Sequence, residues 1–316
     1  MDKELTSQIL VDAEQTLRQY ERGKINAELD AELEAIAKLP PEIFFEEIPK
    51  THPKTTHPNI FSFDKSQYIK LEGKDYGNGN KWGDCDVSMA RIAYSPEIVK
   101  IGKKLNCNVQ NTGKDSLGRK FIGNINWDEA LKIALLYGDL LEEQRYSNAL
   151  FMRQFPDFLK LLKSGKAYDG NGKKIDPKIL ENIFNDITQV KSPWRAEWID
   201  GDFKYKDNKL YLAQSHVLDC SGNLIPQYTK ALDECLMKDK TPGINLDQWI
   251  QNPTRQGLPR KSSEKGDLYY WCPDKDNNSV ARFYADDGRT GLNCVGYRDL
   301  RGSDRGVRIV LGEPKS

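Results

Sequence analysis

Hydrophobic and polar positions alternate most regularly near the C-terminal end of the chain. Three runs, residues 280–285, 291–295 and 306–311, alternate apolar with polar side chains or are rich in β-branched residues, and Gly, Asp or Asn bounds each of them. That is the pattern of strands joined by tight connections. The connectors, residues 286–289 and 296–305, are dense in Arg, Asp, Tyr, Ser and Gly.

Upstream the period changes to that of helices. Asn126 and Glu129 stand three apart, ahead of Ala130, Ile133, Ala134, Tyr137, Leu140 and Leu141 at helical spacing, with Trp127 at the entry. This predicts a helix opened by a capping box. A second helix is predicted near residues 157–163, closed by Gly165. A third opens at Asp176-Pro177 and carries Ile179, Leu180, Ile183, Phe184 and Ile187. Residues 194–218 alternate like strands. Residues 226–252 read as mostly helical or irregular, with Trp249 as a core anchor, and residues 60–71 as strand pieces. Residues 77–80 read as a turn, which lacks the βαβ setting of a dinucleotide-binding loop. At the other end, residues 2–38 carry helical stripes (Leu10, Ala13 and Leu17; Ala27, Leu29, Leu33 and Ile36), interrupted by Gly23 and ended by Pro40 and Pro41. The expected organisation is an N-terminal helical segment, residues 1–41, suited to docking or self-association, and a main domain, residues 42–316. Helices first and paired strands last predict the α+β class.

Charge narrows the functional classes. Lys plus Arg and Asp plus Glu both number 47, a formal net charge of zero. A nucleic-acid binder needs a basic face, and so does adhesion to an anionic membrane. Neither partner is expected. No apolar run approaches the ~18 residues of a spanning helix, and the opening Met1-Asp2-Lys3-Glu4 has no apolar signal core. A soluble chain, cytoplasmic or virion-associated, is the expectation.

Candidate chemistry is sparse. The six cysteines, at 85, 107, 220, 235, 272 and 294, form no CxxC pair, so free thiols packed as small hydrophobes are expected. His52 and His57 each precede a proline, and no carboxylate or Cys lies close by. No metal and no cofactor is expected. His216 reads as a strand histidine satisfied by hydrogen bonds. Asp286-Asp287 and Glu46-Glu47 are adjacent carboxylates, and neighbours on a strand point opposite ways rather than forming an acid–base pair.

Arginine usage is the more telling signal. The 47 basic residues include only 15 Arg, yet six of these fall between Arg282 and Arg308 with no Lys among them. The planar, weakly hydrated guanidinium suits recognition surfaces. Tyr and Asn beside it supply rigid aromatic contact and adaptable hydrogen bonding. The plainer reading is a polar sheet edge laced with salt bridges.

A set of short motifs carries a resemblance. Asn126-Trp127-Asp128-Glu129-Ala130 opens a helix. Glu197-Trp198, Gly257-Leu258-Pro259, Val280-Ala281-Arg282-Phe283 and Gly306-Val307-Arg308-Ile309-Val310 follow in that order. Across roughly residues 120 to 311 the chain resembles the C-type lectin fold in its formylglycine-generating-enzyme-like form. More narrowly, it is similar to the variable proteins of diversity-generating retroelements, of viral or prokaryotic origin. The resemblance implies a rigid scaffold with a variable ligand-binding region at residues 271–310. The binding positions it implies are Tyr284, Asp286, Asp287, Arg289, Asn293, Tyr297, Arg298, Asp299, Arg301, Ser303, Asp304 and Arg305, on one contiguous solvent face. Leu292, Val307, Ile309 and Leu311 would be fixed scaffold. The family's face is richer in Tyr and Asn than this one.

The expected function is therefore non-enzymatic recognition of a protein or other surface ligand. Two alternatives stay open. One is an oxidase or modifying enzyme, as among the broader fold relatives, for which Cys272 and Cys294 are the conceivable pair. The other is a structural or assembly protein using residues 1–38.

Overall fold

The alternating runs at the C-terminal end form strands, but in two sheets rather than one. The computed structural model describes residues 63–315 apart from 78–79, 108, 115–119 and 277. Contacts divide the chain into Met1–Lys54 and Thr55–Ser316, and the described residues all belong to the second unit. The predicted N-terminal helix, Glu46-Glu47, His52 and His57 lie outside them.

In chain order the elements are β1 (Tyr68–Leu71), a ribbon of β2 (Lys74–Asp75) and β3 (Lys81–Trp82), β4 (Cys85–Arg91), α1 (Pro96–Lys104), a ribbon of β5 (Gln110–Lys114) and β6 (Lys120–Gly123), and α2 (Trp127–Tyr137). Then come β7 (Arg145–Ala149), α3 (Gln154–Ser164), α4 (Pro177–Thr188), the long hairpin β8 (Arg195–Lys206) and β9 (Lys209–Leu218), β10 (Leu224–Ala231) and β11 (Lys240–Ile244). The chain closes with α5 (Leu246–Gln251), β12 (Leu268–Trp271), β13 (Ser279–Ala285), β14 (Thr290–Tyr297), β15 (Arg305–Gly306) and β16 (Arg308–Pro314). A four-stranded antiparallel sheet runs β1-β4-β16-β7. An eight-stranded sheet runs β10-β9-β8-β13-β14-β12-β11, with β15 beside β8. Its pairings are antiparallel except β12 with β14 and β15 with β8. The class is mixed α and β with mainly antiparallel sheets.

Local chemistry explains the helices. Asn126 accepts from the Glu129 amide at 2.9 Å and Glu129 returns to the Asn126 amide at 3.1 Å, which is the capping box the sequence predicts. Gly165 ends α3 in the left-handed conformation, and Asp176 caps α4 ahead of Pro177. One apolar cluster, including Phe155, Phe158, Ile199, Trp249, Phe283, Leu292 and Cys294, fills one face of the large sheet. A second gathers α2 with Trp198, Val280, Val307, Ile309 and Leu311. Two indoles tie α2 to the sheet: Trp127 Nε1 donates to Ile199 O at 2.8 Å, and Trp198 Nε1 to Ile125 O at 3.1 Å. No helix among the described residues is long and apolar enough to cross a membrane.

Three expectations need correcting. The run 306–311 is not one strand. Gly306 lies in the large sheet beside Glu197, whereas Arg308 onward joins the small sheet, and fully buried Val307 is the crossing point. Residues 226–252 are not mostly helical. They hold β10, β11 and only the short α5, because β10 is a largely polar edge strand whose alternation carries little hydrophobic contrast. Strands also precede the helices, since β1 and β4 flank β16 from the N-terminal side.

Candidate functional site

The pleat of the large sheet sorts the C-terminal side chains onto two faces. On β12, Leu268 and Tyr270 are buried in the core while Tyr269 and Trp271 are half-exposed. On β13, Ala281 and Phe283 enter the core, so Arg282 and Tyr284 take the other face. On β14, Leu292 and Cys294 enter the core and Gly291 and Asn293 take the other face. The register then sets Tyr284 and Tyr269 on either side of Gly291, and Arg282 and Trp271 on either side of Asn293.

The result is a row of aromatic rings. Tyr269 and Trp271 stack at 5.8 Å between centroids, Trp271 lies 5.7 Å from Tyr284, and Trp194 meets Tyr284 edge-on at 6.2 Å. Gly291 makes the row possible: a Cβ there would lie 2.8 Å from both the Trp271 and Tyr284 rings. Trp194, 44 % exposed, ends the row. Its position is fixed by its neighbour Arg195, whose guanidinium holds the Asp186, Lys191 and Pro193 carbonyls at 2.6–2.7 Å and also that of Gln189.

Three guanidiniums border the rings. Arg289 stands 5.6 Å from the centre of Tyr269 and 5.5 Å from Trp271, Arg305 lies 5.6 Å from Trp194, and Arg282 lies 5.8 Å from Tyr284. Contacts of this kind are each worth roughly 0.5–2 kcal/mol, more when desolvated. Burial pulls the Arg282 pKa down to about 10, with the neighbouring Arg305 charge adding to the effect. Burial also pulls Arg305 down and pushes the Tyr284 hydroxyl up to about 12.

The twelve residues singled out by the resemblance divide into two groups. Tyr284, Asn293, Arg289 and Arg305 lie in or beside the aromatic row, as does Asp304 through its 3.8 Å contact with Arg305. Asp286 shapes the hairpin, accepting from the Gly288 and Arg289 amides at 2.8 Å, and exposed Asp287 lies beside it. Tyr297, Arg298, Asp299, Arg301 and Ser303 belong to the segment that runs back over α2. There Arg298 binds Asp128 at 2.9 Å and also Asp202, and Arg301 grips Glu129. The expectation that all twelve point to solvent on one face does not hold. Tyr284, Asn293 and Arg305 are 4, 8 and 5 % exposed, and Arg298 and Arg301 are engaged as struts.

Sequence reasoning passed over Trp194, Tyr269, Trp271 and Arg282 as site residues. The alternation of Leu268, Tyr269, Tyr270 and Trp271 would have placed two aromatics on one face. Nothing local marks Trp194, which reaches the row only through the pairing of β8 with β13.

Other titratable groups are closed off. His216 Nδ1 and Asp200 Oδ1 lie 2.6 Å apart, both side chains 2 % exposed, with Trp127 edge-on at 5.1 Å. This is a satisfied core pair. All six cysteines are free, and burial pushes the Cys85 and Cys272 thiols up to about 12 and Cys294 well above its usual value. Such thiols are poor nucleophiles, because the thiolate is the reactive form. Among the described residues no group of three or more His, Cys, Asp or Glu side chains is placed to hold a metal ion. No protein-family model, curated protein or solved structure matches the chain.

Proposed function

We propose that this chain is a non-enzymatic recognition protein. In this reading the outer face of β12, β13 and β14 is its ligand-binding surface, carried on a C-type lectin-like scaffold of the kind found in retroelement-diversified proteins. One observation carries the proposal: register lines up Tyr269, Trp271, Arg282 and Tyr284 on one sheet face, Trp194, Arg289 and Arg305 border them, and the opposite face of the same strands is packed in the core. Aromatic and Arg side chains are the residue types that dominate binding energy at interfaces. Anchoring Tyr269, Trp271, Arg282 and Tyr284 on strands rather than loops lowers the ordering cost of association. The scaffold name rests on the motif resemblance, and the binding role rests on the face.

The test is a display experiment on the full chain. Codons for Tyr269, Trp271, Arg282, Arg289 and Asn293 are randomised in one library, and those for Phe283, Leu292 and Cys294 in another. The first library should keep a large folded fraction and yield binders to an arbitrary immobilised protein such as lysozyme. A first library that folds no better than the second, or yields no binders, would reject the proposal.

A further inference from the structure

Two arginines at this face hold donors that no described residue takes up. Arg282 has no hydrogen-bond acceptor among the described residues, and its Nε and Nη1 are buried without a partner. Arg305 Nε is also buried and partnerless, and its guanidinium makes one ion pair, 3.8 Å from Asp304. Gly302 admits that guanidinium, since a Cβ there would lie 1.9 Å from Arg305 Nη1. Three further arginines behave differently. Arg308 is bidentate on Glu197, Arg298 bridges Asp128 and Asp202, and Arg195 holds four carbonyls. A buried donor without an acceptor is costly, and a charged one more so. The rings of Tyr284 and Trp194 beside the two guanidiniums offset part of that cost and leave the donors free.

An anionic acceptor would meet the charge as well as the free donors. A guanidinium fork matches a carboxylate or a phosphate, and charge separates the two. Arg289 pairs with Asp286 and Arg305 with Asp304, each at 3.8 Å, which leaves Arg282 as the one of the three guanidiniums without an ion pair among the described residues. That single unpaired charge matches a singly charged carboxylate better than a phosphate dianion.

We infer that Arg282 and Arg305 form the receptor for a carboxylate side chain on an acidic segment of a protein partner, with Trp194 and Trp271 receiving the apolar residues beside it. The inference rests on the binding reading above and adds the partner's chemistry.

The full chain carries six tryptophans. Labelled with 5-fluorotryptophan, it gives one fluorine signal for each, and Trp194→Phe and Trp271→Phe assign the two at the site. The probes are an acetylated, amidated pentapeptide with one Asp between two Phe, its Asn isostere, and phenyl phosphate. The Asp peptide should shift the Trp194 and Trp271 signals saturably, and at least about tenfold more tightly than the Asn peptide, the factor expected for one charge-assisted contact. Arg282→Met should remove that preference. If this variant loses the dispersed spectrum of the folded chain, Arg305→Lys provides the same comparison. Equal binding of the two peptides would overturn the carboxylate receptor while leaving the aromatic face as a binding surface. Phenyl phosphate shifting both signals where the Asp peptide does not would overturn it in favour of a phosphate receptor. A failed display library, with both signals unmoved by every probe, would reject the binding reading itself.

Discussion

Arg308 in the small sheet grips Glu197 in the large one. Nη2 donates to Oε1 at 2.6 Å and Nε to Oε2 at 3.2 Å, with both residues at most 5 % exposed. Arg308 Nη1 adds a bond to Ser88 O at 2.9 Å. The pair locks the two sheets where the chain crosses between them, next to β15. Removing one partner leaves the other charge buried without its counter-charge. Glu197→Gln and Arg308→Met should each cost about 3–5 kcal/mol in urea unfolding. A loss under about 1 kcal/mol would mean that the pair contributes little to the joint.

Leu292, Val307 and Ile309 are at most 1 % exposed. Each replacement by Ala should cost about 2–5 kcal/mol through lost contact and the cavity left behind. Replacing exposed Asp287, Asp299 or Ser303 by Ala should change stability by about 0.5 kcal/mol or less. Arg298 sides with the core group, because its loss leaves the buried Asp202 carboxylate to Lys204 alone and takes the partner from Asp128. Thermal melts of the seven variants check the ranking, and an Arg298→Ala melt matching the exposed set would contradict the strut role.

Gly291→Ala should open the aromatic row. With the new Cβ 2.8 Å from both rings, Trp271 and Tyr284 must move, at a cost of roughly 1–3 kcal/mol. Near-ultraviolet circular dichroism should change while the far-ultraviolet spectrum stays. An unchanged near-ultraviolet spectrum would place the rings elsewhere.

Alkaline stability follows from groups that folding holds neutral. Burial raises Cys85 and Cys272 from 9.0 to about 12 and Tyr284 from 10.0 to about 12. A raised folded-state pKa leaves stability intact below the unfolded value and removes it as pH climbs towards the folded one. The melting temperature should therefore be flat to about pH 8.5 with respect to these groups and fall between about pH 9 and pH 12. Cys220, the exposed thiol, should be alkylated first in the native protein. Fast labelling of Cys85 or Cys294 would contradict the burial that drives both expectations.

Much of this was legible in the sequence, for identifiable reasons. Asn126 and Glu129 announced α2 because both halves of a capping box lie within four residues. Asp176-Pro177 and Gly165 did the same for a start and a stop. The helix α1 was not predicted, although Ser95 and Pro96 open it, with Ser95 Oγ accepting from the Ile98 amide at 3.3 Å. The strands β13 and β14 were legible from alternation. Their sheet partners were not, because pairing is a long-range choice: nothing near Trp194 says that β8 will lie beside β13. The crossing at Val307 was hidden because the alternation runs through it unbroken. The arginines were legible as a group but not as individuals. Whether an Arg ends as a strut, like Arg301 on Glu129, or free, like Arg282, depends on what lies opposite.

The most direct measurement of the central claim is the variation of this gene within its source population. Deep sequencing of codons 271–310 gives a rate of amino-acid change at each position. A diversified binding face predicts change concentrated at Trp271, Arg282 and Arg289, with none at Phe283, Leu292, Cys294, Val307 or Ile309. A near-copy of that stretch, differing at adenines and lying beside a reverse-transcriptase gene, should accompany it. Equal rates in the two sets, or change gathered in the buried one, would contradict the account.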